Sequence, residues 1–304
     1  MRRTLVAALA AGVLALLTAA PSSAINTYNS APAPERTEVG AFVGLYDRDG
    51  DGYLDRFRWY CSGTMIDDDT YLTAAHCTTG GLPDDRYFVS LEQDVQGLLD
   101  DYDAVNGPAP TEPAALQAYL ETKTQYFLDQ GWIVEGTPYQ DSAYPGTSAD
   151  SHDIGVVDFA DWETNPQDVW DFTPASLPTA GQLDELGSRA LDAAEWWTVG
   201  YGTSEALRGP GGHTHPGGGE RLKALVDFNA INPTWVRLAM NASRGLGGAC
   251  YGDSGGPNFV ELDGELVLAA TTITGDAPCY ATNVAYRLDT ESAREFLEPF
   301  VDLP

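Results

Sequence analysis

The sequence is short of positive charge. Sixteen lysines and arginines stand against 45 aspartates and glutamates in 304 residues, for a formal net charge of −29. A surface of that sign repels phosphate backbones and anionic lipid headgroups, so nucleic acid and charged membrane surfaces are excluded as partners. The acidic excess reads as a solubilising surface. Long apolar runs are equally scarce. One run, from Leu5 to Leu17, follows Arg2 and Arg3 and gives way to small residues. It is shorter than the roughly 20 residues that cross a bilayer and is broken by Gly12, so it reads as a secretory leader cleaved after Ala24, not an anchor. No other stretch approaches a membrane span, and an exported, extracellular protein is expected.

Cysteine is limited to Cys61, Cys77, Cys250 and Cys279. No two have the close spacing of a zinc knuckle, which argues against a zinc site. An even number in an exported chain points to disulfides. Four cysteines allow three pairings, and their positions alone do not choose among them. Histidine is also limited to four: His76, His152, His213 and His215.

What remains after the leader is enough for one large β domain with a proper core. Residues 25–37 are polar and rich in Pro, Ala and Ser, and read as a flexible leader or propeptide. Short apolar runs broken by turns then mark strands at 41–46, 56–66, 70–77 and 86–91. Residues 92–150 hold many Asp, Pro and Gly and read as an inserted surface excursion, with one helix across 113–131. Strand-like runs resume at 153–159, 195–202, 221–231, 235–240, 265–274 and 282–288. The tail 290–301 has helical periodicity, with Ala293, Phe296, Leu297 and Phe300 on one face. Residues 208–220 form a glycine-rich loop. Many short strands and one terminal helix indicate a closed all-β architecture, not a doubly wound sheet.

The chemistry gathers around Ser254, in Cys250-Tyr251-Gly252-Asp253-Ser254-Gly255-Gly256-Pro257. A serine hydroxyl is a poor nucleophile until a base takes its proton. The glycines allow a tight turn in which the N–H groups of Gly252 and Ser254 point at one spot, as an oxyanion hole requires. The Gly-x-Ser-x-Gly spacing also fits the nucleophile elbow of α/β-hydrolases, but there the base histidine follows the serine, and all four histidines here precede it. The base is therefore sought upstream. His76 ends an apolar strand beside Cys77. Asp153 enters another, where a carboxylate is costly unless paired. An Asp153–His76 pair would fix the imidazole tautomer and complete a base, an orienter and a nucleophile.

At these residues the chain resembles the trypsin/chymotrypsin family of serine proteases, in a form that suits a bacterial exported protein. Leu72-Thr73-Ala74-Ala75-His76-Cys77, Asp153-Ile154-Gly155-Val156-Val157 and Gly252-Asp253-Ser254-Gly255-Gly256-Pro257 are similar to its three signature blocks. Residues 61–66 and 199–203 resemble two more, and the likeness spans about 38 to 300. The resemblance implies two six-stranded antiparallel β-barrels with the site between them and a C-terminal helix. It implies a serine endopeptidase with His76 as general base, Asp153 as its orienter, Ser254 as nucleophile, and Gly252 and Ser254 as the oxyanion hole. It implies the disulfides Cys61–Cys77 and Cys250–Cys279, a polypeptide substrate, a monomer, and no required cofactor. The same fold also carries esterase side activities and binding proteins that have lost a triad member.

The resemblance further assigns Gly248 and Ala249 to the base of the primary substrate pocket. Trypsin-like members place an aspartate where Gly248 stands, so an apolar residue before the cut bond is expected here. Thr274, Gly275 and Asp276 resemble one pocket wall. Thr274 is expected to hydrogen-bond Asp153, and Asp276 to narrow the entrance or attract a cation. Asn283 stands where a glycine is usual. Members of the family are often activated by cleavage before an Ile-Val-Gly-Gly start, whose new amino terminus pairs with the aspartate before the serine, here Asp253. No such motif occurs; Glu38-Val39-Gly40-Ala41 is the nearest. Outside the resemblance, Asp47, Asp49, Asp51 and Asp55 have the spacing of a calcium loop, although Arg58 stands where the bidentate glutamate is expected. Calcium is therefore the one candidate ion. An acidic hairpin loop is the alternative.

Overall fold

The computed structural model describes residues 25–79 and 81–304. The leader expected at 1–24 lies outside the described residues. Strand β1 (Ala31–Pro32) precedes the first barrel, which contains β2 (Val39–Tyr46), β3 (Arg56–Met65), β4 (Thr70–Thr73), β5 (Arg86–Ser90), β6 (Val134–Glu135), β7 (Thr137–Gln140) and β8 (Gly155–Asp158). Their antiparallel order is β6-β5-β2-β3-β4-β8-β7. Only Gly136 separates β6 from β7, and its N–H donates to Tyr87 O at 3.1 Å. Residues 134–140 therefore act as one bent strand, paired with β5 at one end and β8 at the other, and nearly close the barrel.

Helices α1 (Ala75–Thr78), α2 (Val95–Asn106) and α3 (Pro113–Asp129) interrupt this barrel; α4 (Pro166–Val169) and α5 (Gln182–Ala193) link it to the second. The second barrel is a closed ring of six strands: β9 (Trp196–Gly200), β12 (Leu222–Ile231), β13 (Trp235–Ala239), β16 (Thr282–Arg287), β15 (Glu265–Gly275) and β14 (Pro257–Leu262), the last pairing back to β9. A small hairpin, β10 (Leu207–Gly209) with β11 (Gly212–Thr214), stands off it. Helix α6 (Glu291–Leu297) ends the fold. This is the two-barrel, trypsin-like fold.

The elements follow from their residues. In β12 buried and half-buried side chains alternate from Leu222 to Phe228, the period of a strand with one face on a core. Asp94 caps α2 by accepting from Gly97 N, Pro113 stands in the first turn of α3, and Thr290 caps α6 through Ala293 N. In α3, Leu120, Thr124 and Phe127 recur at helical spacing and are buried. Phe127 meets Phe57 edge-on at 5.5 Å, which lays α3 on β3. The buried Lys123 amine reaches Asp103 at 2.6 Å and Leu99 O at 3.1 Å, tying α3 to α2.

The structure departs from expectation in several places: α2, α5 and β14 lie outside the expected elements, and residues 75–77, expected as strand, belong to α1. The excursion expected over 92–150 is split in two, 92–133 and 141–150, because 134–140 returns to the barrel as strand. Residues 25–37, expected to be flexible, are seated on the second barrel. Ile25 and Asn26 are wholly buried, and Ala31 and Pro32 pair with Lys223 and Leu222. The glycine-rich loop 208–220 is flexible in composition, yet its end folds back under the first barrel, with Gly218 and Gly219 packed on Trp59.

Candidate active site

His76 stands in the one-turn helix α1, directly after β4. Cys77 is bonded to Cys61 of β3, and Cys77 N–H donates to Ala74 O at 3.1 Å, so the turn cannot swing away from the barrel. Asp153 leads into β8, the strand that pairs with β4, and is 7% exposed. Neighbouring strands thus deliver the two side chains to one end of the first barrel. His76 Nδ1 lies 2.9 Å from Asp153 Oδ2 and 3.1 Å from Oδ1, and the His76 backbone N–H donates to Oδ1 at 2.9 Å. Nδ1 is committed, which leaves Nε2 as the nitrogen available for proton transfer.

Ser254 comes from the second barrel, on the turn between Cys250 and β14. Cys250 is bonded to Cys279. The turn is pinned to both barrels. Ser62 N–H donates to Ser254 O at 2.8 Å, and Ser62 Oγ donates to Gly252 O at 2.8 Å. Gly255 N–H donates to Thr272 O at 2.7 Å, and Gly256 N–H to Asp253 O at 2.9 Å. Among the described residues, the N–H groups of Gly252 and Ser254 have no hydrogen-bond partner. Two free donors two residues apart on a fixed turn are what an oxyanion would need.

Beneath the turn, Asp253 is wholly buried. Its carboxylate accepts from Gly202 N–H at 2.8 Å and Cys250 N–H at 2.7 Å. Desolvation dominates and pushes its carboxyl up to about 7, against the two donors that pull it down.

His76 and Ser254 share a cavity of about 570 Å³ between the barrels, walled in part by Gly252, Ala249, Thr274, Gly275 and Asp276. Of the four histidines only His76 lines it. His152 pairs with Asp141, and His215 rests against Tyr251 and the Cys250–Cys279 bridge. A larger cavity of about 840 Å³ opens beside α6, but it lies away from these residues, and Arg287 within it is already paired with Asp184 and Asp289.

Two residues expected in the primary pocket lie outside its wall. Gly248 faces the protein interior. Its carbonyl accepts from Asn26 N–H at 3.0 Å, and a Cβ added there would overlap Met240. Asn283 is buried, donating to Asn258 Oδ1 at 2.8 Å and Thr272 Oγ1 at 3.3 Å. Asp276 lines the cavity without being free to attract a cation. Its carboxylate caps the following turn, accepting from Tyr280, Ala281 and Thr282 N–H at 2.9, 2.9 and 2.6 Å. Thr274 does not reach Asp153, whose carboxylate is hydrogen-bonded by His76 alone among the described residues.

Of the calcium-loop candidates, Asp47, Asp49 and Asp51 gather their oxygens within 4.8 Å of one another. Asp55 is drawn instead to Arg48 N–H and Arg56. The loop joins β2 to β3, and Asp47 already accepts from Gly50 and Gly52 N–H.

Sequence reasoning missed Asn26 and Trp59, which back the pocket and the Ser254 turn. Neither carries a motif; both matter through contacts distant in sequence.

No family model matches the chain. Two proteins of Drosophila melanogaster, Serine protease 1 and Serine protease 2, are each 27% identical to it over 227 residues, covering 73% of this chain and 68% of each relative. The two-barrel fold and this similarity together support a place among the serine proteases.

Proposed function

We propose that the protein is an exported serine endopeptidase that cuts polypeptides through an acyl-enzyme. The observation that carries this reading is the meeting, in one interbarrel cavity, of an Asp153-oriented His76 with a serine turn bearing two N–H groups that have no partner among the described residues. Ser254 Oγ attacks the scissile carbonyl carbon while His76 Nε2 takes the hydroxyl proton. The carbonyl π electrons move to its oxygen, which the Gly252 and Ser254 N–H groups hold. The C–N bond then breaks, and His76 gives its proton to the leaving amine. Water repeats the sequence on the ester and frees Ser254. Every proton and electron pair is accounted for by these groups and water, so the chemistry calls for no metal or cofactor.

The cavity wall offers Ala249, Ile273 and Ala277, and its one carboxylate, Asp276, is internally satisfied. That favours an apolar residue before the cut bond. The leader 1–24 is removed on export, and the protein acts as a monomer.

Casein hydrolysis by the secreted protein, beside Ser254→Ala and with phenylmethylsulfonyl fluoride, tests the reading. Activity should fall on the order of 10⁴-fold or more in the variant and vanish with the inhibitor. Failure of a fluorophosphonate probe to label Ser254 in the wild type would overturn it.

A further inference from the structure

Trp59 of β3 is 6% exposed, and its indole is wedged among three glycines from distant parts of the chain. A Cβ on Gly252 would lie 2.6 Å from Cζ3. One on Gly219 would lie 2.6 Å from Nε1, and one on Gly218 would overlap Cη2. The ring therefore touches the backbone of the Ser254 turn on one side and the 218–219 segment on the other. Its single polar atom, Nε1–H, donates to Gln96 Oε1 at 2.9 Å.

Gln96 sits in the first turn of α2, and its amide is oriented. Nε2 donates to Asp100 Oδ1 at 2.7 Å, which leaves Oε1 facing the indole. The helix start is anchored as well. Val95 and Gln96 N–H both point to Gly219 O, at 2.8 and 3.3 Å, and Gly219 N–H donates to Tyr201 O at 2.7 Å. On the far side of Gly252, Thr203 N–H holds Tyr251 O at 2.7 Å. The peptide that carries the Gly252 N–H is thus fixed through its carbonyl, while the indole backs its Cα. Gly252, at φ +95° and with no side chain, is otherwise held through its own carbonyl, which accepts from Ser62 Oγ at 2.8 Å on the side away from its N–H.

We propose that Gln96 and Trp59 are positioning residues for the chemical step. Helix α2, acting through the Gln96 amide, holds the indole against Gly252 and so aims the Gly252 N–H at the developing oxyanion. This gives the excursion over 92–133 a part in catalysis, and it rests on the reading of Gly252 and Ser254 as the oxyanion donors. A donor aimed at transition-state charge raises kcat and leaves ground-state binding alone.

The test compares Gln96→Met, which keeps bulk but removes the acceptor, with Gln96→Glu/Asp100→Asn, which restores an acceptor for the indole and a donor partner for residue 96. Rates are normalised to Ser254 labelled by fluorophosphonate, so that misfolded protein does not count. Removing a whole oxyanion donor costs about 10²- to 10³-fold, so loosening one should lower kcat roughly tenfold in Gln96→Met, with KM unchanged. Affinity for a peptide aldehyde, whose adduct carries the oxyanion, should fall by the same factor. The double variant should recover most of both. Unchanged kcat and aldehyde affinity in Gln96→Met, or equal losses in the two variants, would overturn the proposal. A wild type that does not label at Ser254 removes the reading of the site itself, and the positioning role with it.

Discussion

Asp153 holds His76 at two points: Oδ1 accepts from the backbone N–H at 2.9 Å, and Oδ2 lies 2.9 Å from the ring Nδ1. The backbone contact fixes where the carboxylate sits, and the ring contact fixes which nitrogen carries the proton. An asparagine at this position must keep its carbonyl on the His76 backbone N–H, which turns its amide N–H towards Nδ1. Nδ1 would then accept, and the ring proton would move to Nε2, where it blocks proton transfer from Ser254. Asp153→Asn should therefore fold normally and lose about 10⁴-fold in kcat at neutral pH. Measured kcat and melting temperature check it; a loss below tenfold would remove Asp153 from its role.

Gly248 bears on specificity in an unexpected direction. Placing an aspartate there would be the obvious way to favour Arg or Lys before the cut bond. Its Cβ, however, would overlap the Sδ, Cγ and Cβ of the buried Met240. Gly248→Asp should lower the melting temperature by overpacking and by burying a charge, and a peptide library should show no gain in cleavage after Arg or Lys. A clean switch to basic residues would show that the position opens to the pocket after all.

The contrast between His76 and Gly248 shows which features the sequence could reveal. His76, Asp153 and Ser254 sit in short blocks whose local chemistry is legible: a histidine closing an apolar strand, a carboxylate entering one, a serine among glycines. Most barrel strands announced themselves by alternation, as β12 does. Gly248, Asn283 and Asp276 depend instead on what lies across space. No local pattern tells that Met240 fills the room beside Gly248, or that Asp276 is consumed by Tyr280, Ala281 and Thr282. Strands 134–140 escaped notice because Gly136 and Pro138 break the run. Helix α2 escaped because its aspartates and Gly97 dilute the apolar face carried by Val95, Leu99 and Tyr102.

Residues 25–33 are built into the second barrel. Asn26 N–H reaches Gly248 O and Asn26 Nδ2 reaches Cys279 O, the two segments that flank the Cys250–Cys279 bridge. Thr27 is held by Glu205, and the buried Arg221 guanidinium donates to Ala33 O at 3.0 Å. Stripping the segment would orphan these groups and expose Leu222 and Ala224, which pack on Ile25. Active secreted protein should therefore begin at Ile25 on Edman sequencing. A chain begun at Pro34 should lose several kcal/mol of stability, read as a large fall in melting temperature. An active enzyme beginning near Val39 would establish the segment as a removable propeptide.

The carboxyl of Asp253 gives stability a pH dependence of definite sign. With residues still attached before Ile25, no cation faces it among the described residues, and burial raises its pKa to about 7. The unfolded chain releases the same proton at about pH 4. Between these values the native state binds more protons than the unfolded state, so this group's contribution falls as pH rises from about 4 to about 7 and is flat above. Carbon-13 NMR of the Ser254→Ala protein, with the leader junction intact, should show one carboxyl titrating near 7 that is missing in Asp253→Asn. Cleavage after Ala24 frees an amine at Ile25, and the family resemblance pairs such an amine with Asp253. In the processed chain that pairing would drop the resonance's midpoint well below its unprocessed value and remove the stability loss through the window. An unchanged midpoint after processing would mean that the amine does not reach Asp253, and that its carboxylate is held by the Gly202 and Cys250 N–H donors alone.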